Sequence, residues 1–222
     1  MALVKPITEY AFFSDFDGTI TQRDGTVELI KWYGTEEVRR DEDRFIAGQA
    51  SHRDIMAAHY RRMRLAPKAY FDVLLSIPMD ECFPAFYRAL RQAGGALTVL
   101  TGSAGESVQR YLDTKGLNGI EVHGNQLICQ DGIVLLEEAD AVESTLCKLG
   151  PCPHCKSKWL QAARALGKEV VYIGDGLTDR CAAAYAHHLF AKATLAEYCS
   201  REGIDYIPFH TFDDITRYCF ES

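Results

Sequence analysis

Three short apolar runs, each ending in small polar residues, constrain the fold of this chain more than any other feature. They are residues 10–14, 96–100 and 169–173. Runs of this length and content predict buried strands. Helical spacing follows the second run at residues 106–115 and the third at residues 177–186. Strands that alternate with helices predict an α/β fold with a Rossmann-like parallel sheet, which binds ligands at the carboxyl ends of its strands.

The segment between the first two predicted strands is far longer than a single crossover helix requires. Its spacing predicts successive amphipathic helices at residues 27–33, 35–46, 51–64 and 67–76, and a returning helix at 81–93. We therefore predict a helical domain, residues 21–94, inserted after the first strand of a core domain formed by residues 1–20 and 95–222.

The charge balance excludes one class of partner. The 24 Lys and Arg residues oppose 31 Asp and Glu residues, which gives a net charge of −7. An acidic chain is unsuited to coating a nucleic-acid backbone, although it can still bind a small phosphorylated molecule. No apolar run is long enough to span a membrane, and the N-terminus lacks the pattern of a signal peptide. We expect a cytoplasmic protein that acts on a small metabolite, with no nucleic-acid or membrane partner.

Four carboxylates stand at the ends of the first and third predicted strands. Asp15 and Asp17 are two residues apart, so extended backbone would turn both toward one side. Asp175 and Asp179 are one helical turn apart. Carboxylates that meet at one place repel each other unless a divalent cation neutralises them, and hard oxygen ligands suit Mg²⁺. Each Asp-Gly pair, taken alone, is equally explained as a turn or a helix cap.

The ordered combination of these segments is more specific than any one of them. Four segments resemble the motifs of the haloacid dehalogenase superfamily of phosphatases: Asp15-Phe-Asp-Gly-Thr-Ile, Thr101-Gly102, Lys156 and Gly174-Asp-Gly-Leu-Thr-Asp. The helical insert is similar to the first-position cap of that superfamily. Within it, residues 190–215 and the Cys-x-x-Cys-Lys step resemble the methionine-salvage phosphatases that act on 2-hydroxy-3-keto-5-methylthiopentenyl-1-phosphate, a subgroup near the phosphoserine phosphatases.

The resemblance implies hydrolysis of a small phosphate monoester. It implies that Asp15 attacks phosphorus and forms an aspartyl-phosphate. Asp17 would protonate the departing oxygen and later take a proton from the attacking water. Lys156 and the hydroxyl of Thr101 would hold the phosphoryl oxygens together with backbone N–H groups near two glycines, Gly18 and Gly102.

The same resemblance implies a Mg²⁺ cofactor. Its ligands would be the carboxylates of Asp15 and Asp175 and the main-chain carbonyl of Asp17. Asp179 would bind the ion through water or orient Lys156.

Alternatives stay open for two of these residues. Lys158 competes with Lys156 for the phosphate-binding role. Thr101 could instead cap a helix that begins near Ser103. Two other functional classes also stay open, a non-catalytic protein that binds phosphate or metal, and a phosphoryl transferase that uses an acceptor other than water.

The exact ester is the least determined property, because the cap sets specificity in this superfamily and residues 39–79 match no substrate signature. Phosphoserine is the principal alternative, and a phosphocholine-type ester is another. Phosphoserine phosphatases bind the amine of the substrate through a Glu near the place of Asp24. They bind its carboxylate through a cap Arg, whose place here falls near Ala57 and close to Arg53.

A separate group of soft ligands precedes Lys156. Cys147, Cys152, His154 and Cys155 are enough for one tetrahedral zinc. A single C-x-x-C step is only half of a structural zinc site, so a redox thiol pair and a reduced turn before the next helix are alternatives.

Overall fold

The computed structural model describes residues 3–139 and 154–221. The core is a seven-stranded sheet in the order β4-β3-β2-β1-β5-β6-β7. β4 pairs antiparallel with β3, and the neighbours from β3 to β7 pair in parallel. The strands are β1 Tyr10–Ser14, β2 Leu97–Ala104, β3 Glu121–Gln130, β4 Ile133–Glu137, β5 Glu169–Gly174, β6 His188–Ala191 and β7 Ile207–Pro208.

The central strand β1 is buried on both faces, which explains its continuous apolar sequence. Phe12 lies in register with Leu97 of β2 and with Val171 of β5, and all three side chains belong to one core cluster. Phe13 faces the other side of the sheet and packs in a second cluster. The predicted α/β fold with a mostly parallel sheet is confirmed.

Helices cover the sheet and form the insertion after β1. They are α1 Gly25–Tyr33, α2 Glu36–Ile46, α3 His52–Met63, α4 Pro67–Ser76, α5 Phe83–Gln92, α6 Gly105–Thr114, α7 Ser157–Ala165, α8 Arg180–Ala183, α9 Ala193–Glu202 and α10 Phe212–Phe220. None of the helices within residues 3–139 and 154–221 is long and apolar enough to cross a bilayer.

The insertion is joined to the core through two neighbouring segments. Thr21 and Met79 form an antiparallel bridge, so the chain leaves the core and returns to it side by side. The next helix, α5, packs against α10, where the rings of Phe86 and Phe212 have centroids 5.2 Å apart. We therefore propose that α5 belongs to the core and that the cap consists of helices α1–α4, ending near Met79 instead of at residue 94.

The helix predicted at residues 177–186 is wrong in extent. The chain instead makes a 3₁₀ turn at Leu177–Asp179 and then the four-residue helix α8. The side chain of Asp179 causes this difference, because it accepts hydrogen bonds from the backbone N–H groups of Asp175 and Gly176 and holds the turn closed.

Candidate active site

The site lies where β1, β2 and β5 end at one edge of the sheet. Asp15 directly follows β1, and its backbone N–H donates to the carbonyl of Ile173 in β5 at 2.8 Å. The following ring, Phe16, is fully buried and anchors the turn. Gly18 has a φ of +77°, and a Cβ there would lie 2.5 Å from Oδ2 of Asp175. The turn therefore needs glycine for both its conformation and its close approach to the carboxylate.

Lys156 joins two of the acidic residues. Its Nζ lies 2.7 Å from Oδ1 of Asp15 and 2.7 Å from Oδ1 of Asp179, and the residue is 4 % exposed. Burial disfavours the charged ammonium, but the two carboxylates outweigh this effect and hold the pKa of Lys156 above its usual value. The site therefore contains a permanent positive charge. Lys158, the competing residue, instead places its Nζ 5.1 Å from the ring centroid of Trp159.

Asp179 is fully buried and saturated with hydrogen bonds. Besides Lys156, it accepts from the hydroxyl of Tyr172 at 2.5 Å and from the N–H groups of Asp175 and Gly176 at 3.0 Å each. A carboxylate has about four lone-pair positions, and four donors already point at this one. The geometry therefore favours orientation of Lys156 over direct metal binding by Asp179.

The carboxylate of Asp17 is held by donors from two elements. The hydroxyls of Thr101 and Ser103 donate to Oδ2 at 3.1 and 2.8 Å, and the N–H of Gly25 donates to Oδ1 at 3.0 Å. Ser103 was absent from the sequence-based candidates. Capping of a helix at Ser103 by Thr101 is wrong, because β2 continues to Ala104 and α6 begins only after it.

Three carboxylates meet at the predicted metal site, where Asp15 and Asp175 are the expected ligands and Asp179 lies beside them. One oxygen each of Asp15, Asp175 and Asp179 lie within 4.8 Å of one another. Burial and the neighbouring carboxylates raise the pKa of Asp15 above its usual range and that of Asp175 to about 6. The raised values show an excess of negative charge that one lysine does not balance. A divalent cation among these hard oxygens would offset it, so the residues fit such an ion.

Beside these carboxylates lies a cavity of about 240 Å³ that the cap closes. Asp15, Asp17 and Asp175 form its floor, while Phe45 of α2 and Met56 of α3 belong to its walls. A smaller cavity lined by some of the same residues reaches Gly102 and Ser103. The space therefore extends from the acidic floor into the cap.

His52, the first residue of α3, covers the end of β2. A Cβ on Gly102 would lie 3.1 Å from Cε1 of His52, so the imidazole rests against bare backbone. Its ring stacks at a tilt on Phe45 with centroids 5.3 Å apart. Burial and the charge of Lys156 lower the pKa of His52 to about 4, so the ring is neutral near pH 7. Sequence reasoning missed His52 because a lone histidine in a helix carries no signal.

Asp24, near which the resemblance placed an amine-binding acid, lies at the start of α1. Its side chain caps α1 by accepting from the N–H of Val27 at 2.9 Å, and it also lines the cavity. Burial and the charge of Asp17 raise the pKa of Asp24 to about 7. The cap arginine expected for a carboxylate is elsewhere: Nε of Arg53 donates to Oε1 of Glu138 at 2.8 Å, and Arg53 is not among the residues that line the cavity.

The proposed zinc ligands fall partly outside the described chain. Cys147 and Cys152 lie in residues 140–153, which the structure does not describe. His154 and Cys155 are buried, and Sγ of Cys155 lies 3.1 Å from the hydroxyl of Ser157. Zinc binding stays a prediction.

The comparisons with known proteins decide the family. A family model described as haloacid dehalogenase-like hydrolase matches residues 12–184, which include the floor carboxylates and Lys156. The chain belongs to this family. The predicted enzyme class of the HAD-like hydrolase, a phosphoric monoester hydrolase, is confirmed by this match together with phosphatase-named relatives.

Two curated relatives span nearly the whole length of this HAD-like hydrolase. One is Pdp3-interacting factor 1 of Schizosaccharomyces pombe, 28% identical over 216 residues that cover 91% of each chain. Another is 2-hydroxy-3-keto-5-methylthiopentenyl-1-phosphate phosphatase of Geobacillus thermodenitrificans, 28% identical and covering 93% of this chain and 94% of the relative. The predicted similarity to phosphatases of this name is confirmed.

Solved structures show the same fold. A phospho-aspartyl intermediate analogue of phosphoserine phosphatase superimposes with a TM-score of 0.70 at 19% identity, covering 96% of this HAD-like hydrolase and 99% of that chain. A substrate-bound phosphoserine phosphatase complex gives a TM-score of 0.70 at 17% identity. At these sequence identities the structural likeness establishes the fold, and it does not identify the substrate of this chain.

Proposed function

We propose that this hydrolase is a Mg²⁺-dependent phosphatase that acts through an aspartyl-phosphate on Asp15. The observation that carries the proposal is the position of that carboxylate, which lies beside Lys156, in the acidic cluster and on the cavity floor. Oδ1 accepts from Nζ of Lys156 and from the N–H of Phe16, each at 2.7 Å. These contacts fix the carboxylate and leave Oδ2 for attack on phosphorus.

The proposed reaction has two displacements. Oδ2 of Asp15 attacks phosphorus while the bond from phosphorus to the ester oxygen breaks, and Asp17 gives that oxygen a proton. Asp17 then takes a proton from the water that attacks the aspartyl-phosphate and releases inorganic phosphate. The hydroxyls of Thr101 and Ser103 hold Asp17 in place for both transfers.

The phosphoryl group would lie beside the carboxylates of the cavity floor, where an ammonium group and backbone N–H groups can donate hydrogen bonds to it. Lys156 and backbone N–H groups near Gly18 and Gly102 would receive its oxygens. Mg²⁺ would be held by Asp15, Asp175 and the main-chain carbonyl of Asp17, and it would offset the charge that gathers in the transition state. Asp179 would orient Lys156 through their 2.7 Å contact.

We propose 2-hydroxy-3-keto-5-methylthiopentenyl-1-phosphate as the substrate. Relatives with that name align over more than 90% of this chain. Apolar side chains in the cap wall, Phe45 and Met56, suit a methylthio end. Phosphoserine has less support, because Arg53 pairs with Glu138 and would not meet a substrate carboxylate.

A phosphate-release assay tests the activity. Wild-type protein should hydrolyse phenyl phosphate with Mg²⁺, and EDTA should abolish the release. Asp15→Asn should lose activity by at least about a thousandfold, since the nucleophile is removed. Asp205→Asn, an exposed residue with the same change of charge, is the matched control. Full activity of Asp15→Asn would overturn the assignment of the nucleophile.

A comparison of esters tests the substrate. The methylthio ester should exceed phosphoserine and phosphocholine in kcat/KM by about a hundredfold, the discrimination that a shaped pocket supplies. Equal values, or a preference for phosphoserine, would refute the proposed substrate and leave the phosphatase activity intact.

A further inference from the structure

Away from the proposed position of the phosphate, the charged side chains that line the cavity are all acidic. Two acidic side chains, Asp24 and Glu42, line it, and in the part of the chain that the structure describes no lysine or arginine does. The remaining wall includes Phe45, Ile46 and Met56. A substrate group that enters this space therefore meets carboxylates, hydrocarbon and the threonines Thr26, Thr178 and Thr194, but no lysine or arginine among the described residues.

Two cations next to residues that line the cavity are already paired with carboxylates. Lys156 lies between Asp15 and Asp179, and the guanidinium of Arg53 pairs with Glu138. His52 faces the cavity as a neutral ring. It can donate one hydrogen bond to an uncharged oxygen, but it does not supply the positive charge that a buried carboxylate needs.

The mouth of the cavity is apolar as well. Ile46 is 64 % exposed and Val27 is 51 % exposed, although both line the cavity. A hydrocarbon or thioether portion of a bound ester would cover them and remove apolar surface from water. The space is also small, at about 240 Å³.

We infer that the cavity selects small phosphate monoesters whose remaining portion is uncharged and partly apolar, and that Glu42 makes it reject esters that carry a carboxylate. This inference rests on the proposed phosphatase function and narrows its substrate class. Glu42, which lies on α2 and outside the catalytic floor, would then distinguish uncharged esters from esters with a carboxylate. The proposed methylthio ester belongs to this class, and phosphoserine does not.

A matched pair of ligands tests the inference. Glycerol 3-phosphate and 3-phosphoglycerate differ at one end of the molecule. Glycerol 3-phosphate has an uncharged hydroxymethyl group where 3-phosphoglycerate has a carboxylate. Each is measured as a competitive inhibitor of Mg²⁺-dependent phenyl phosphate hydrolysis, so neither needs to be turned over. The assay is run at about pH 8, above the ordinary range of carboxyl groups, because burial raises the pKa of Glu42. Glycerol 3-phosphate should bind at least about tenfold more tightly.

Two variants assign the effect to its residue. Glu42→Gln should strengthen binding of 3-phosphoglycerate about tenfold and change that of glycerol 3-phosphate less than about threefold. Glu36→Gln, on the same helix with a side chain 83% exposed, makes the same change of charge and should alter neither. Thermal melting checks that both variants are folded.

The outcomes separate the two proposals. No hydrolysis of phenyl phosphate by wild-type protein refutes the proposed function. Hydrolysis with equal inhibition by the two ligands, or with no inhibition by either, overturns the selection against carboxylates. An unchanged ratio in Glu42→Gln overturns the role of Glu42.

Discussion

The acidic cluster makes a prediction about stability that does not depend on turnover. Asp175 is a proposed metal ligand, and burial and Asp179 raise its pKa from a usual 3.8 to about 6. At pH values above both pKa values, the folded protein without metal must hold this carboxylate ionised. The difference of about two pH units corresponds to about 3 kcal/mol of lost stability, since each unit is worth about 1.4 kcal/mol.

The sign follows from the direction of the shift. At low pH the carboxyl group is protonated in both the folded and the unfolded protein, so there is no penalty. As the pH rises from about 4 to about 6, the unfolded chain releases its proton first, and stability falls. Asp175→Asn removes the ionisable group, so in EDTA near neutral pH the variant should melt above the wild type. One kcal/mol corresponds to about 2–4 °C for a chain of this size.

Bound Mg²⁺ should reverse the order of the melting temperatures of the wild type and Asp175→Asn. Free Mg²⁺ at about a hundred times its dissociation constant stabilises the wild type by about 2.7 kcal/mol, or about 5–11 °C. Asp175→Asn has lost a ligand and should show little of this shift. Differential scanning fluorimetry in EDTA and in MgCl₂ measures both effects, with Asp205→Asn as the control. A metal-dependent shift of wild-type size in Asp175→Asn, or its lower melting in EDTA, would refute this reasoning.

Three further changes test the surroundings of the site. Ser103→Ala removes a 2.8 Å hydrogen bond to Asp17, and steady-state kinetics should show kcat lowered about tenfold or more, with KM little changed. Asp80→Ala leaves two backbone N–H groups without their carboxylate acceptor and should lower the free energy of unfolding in urea by about 2–4 kcal/mol. Gly18→Ala would push a methyl group against Asp175 and force a strained φ. Calorimetry should therefore show weaker binding of Mg²⁺ to this variant. Wild-type behaviour in any one of these variants would contradict the role assigned to the residue that it changes.

The sequence predicted that Asp15 and Asp175 meet at one edge of the sheet, because parallel sheets place the carboxyl ends of their strands together. Asp15 and Asp175 are 160 positions apart in the chain, yet each follows an apolar run whose length and content predict a buried strand. Adjacent strands β1 and β5 then bring both residues to one edge. The periodicity of the insert likewise predicted the cap helices, because each buries one apolar stripe.

Ser103 escaped sequence reasoning for a physical reason. The apolar run ends at Leu100, but β2 continues to Ala104 with a register shift against β3 between Leu100 and Ala104. A strand continued by small polar residues has no apolar pattern to mark it. The alternation of side chains along that extension places Thr101 and Ser103 on the same side, where both reach Asp17.

The contacts of Arg53 show a second limit. The resemblance to phosphoserine phosphatases placed a carboxylate-binding arginine near Ala57 and left Arg53 open for this role, yet the partner of Arg53 is Glu138, 85 positions away and just beyond β4. No local pattern could predict that pairing, because it depends on how α3 packs against β4. The neighbouring residue His52 lines the cavity as a neutral ring, whereas Arg53 does not line it.

The two parts of the structure therefore divide recognition between them. The core supplies Asp15, Asp17 and Asp175 on the cavity floor and the buried ammonium of Lys156, and in the proposed mechanism this set receives a phosphoryl group whatever ester it belongs to. The cap contributes Glu42, Phe45, His52 and Met56, none of which adds positive charge at neutral pH. Since the proposed mechanism requires only this core set, substitutions in the cap wall should change which ester is hydrolysed without removing hydrolysis of a small aryl phosphate. Substitutions at Asp15 or Lys156 should remove hydrolysis of every ester alike.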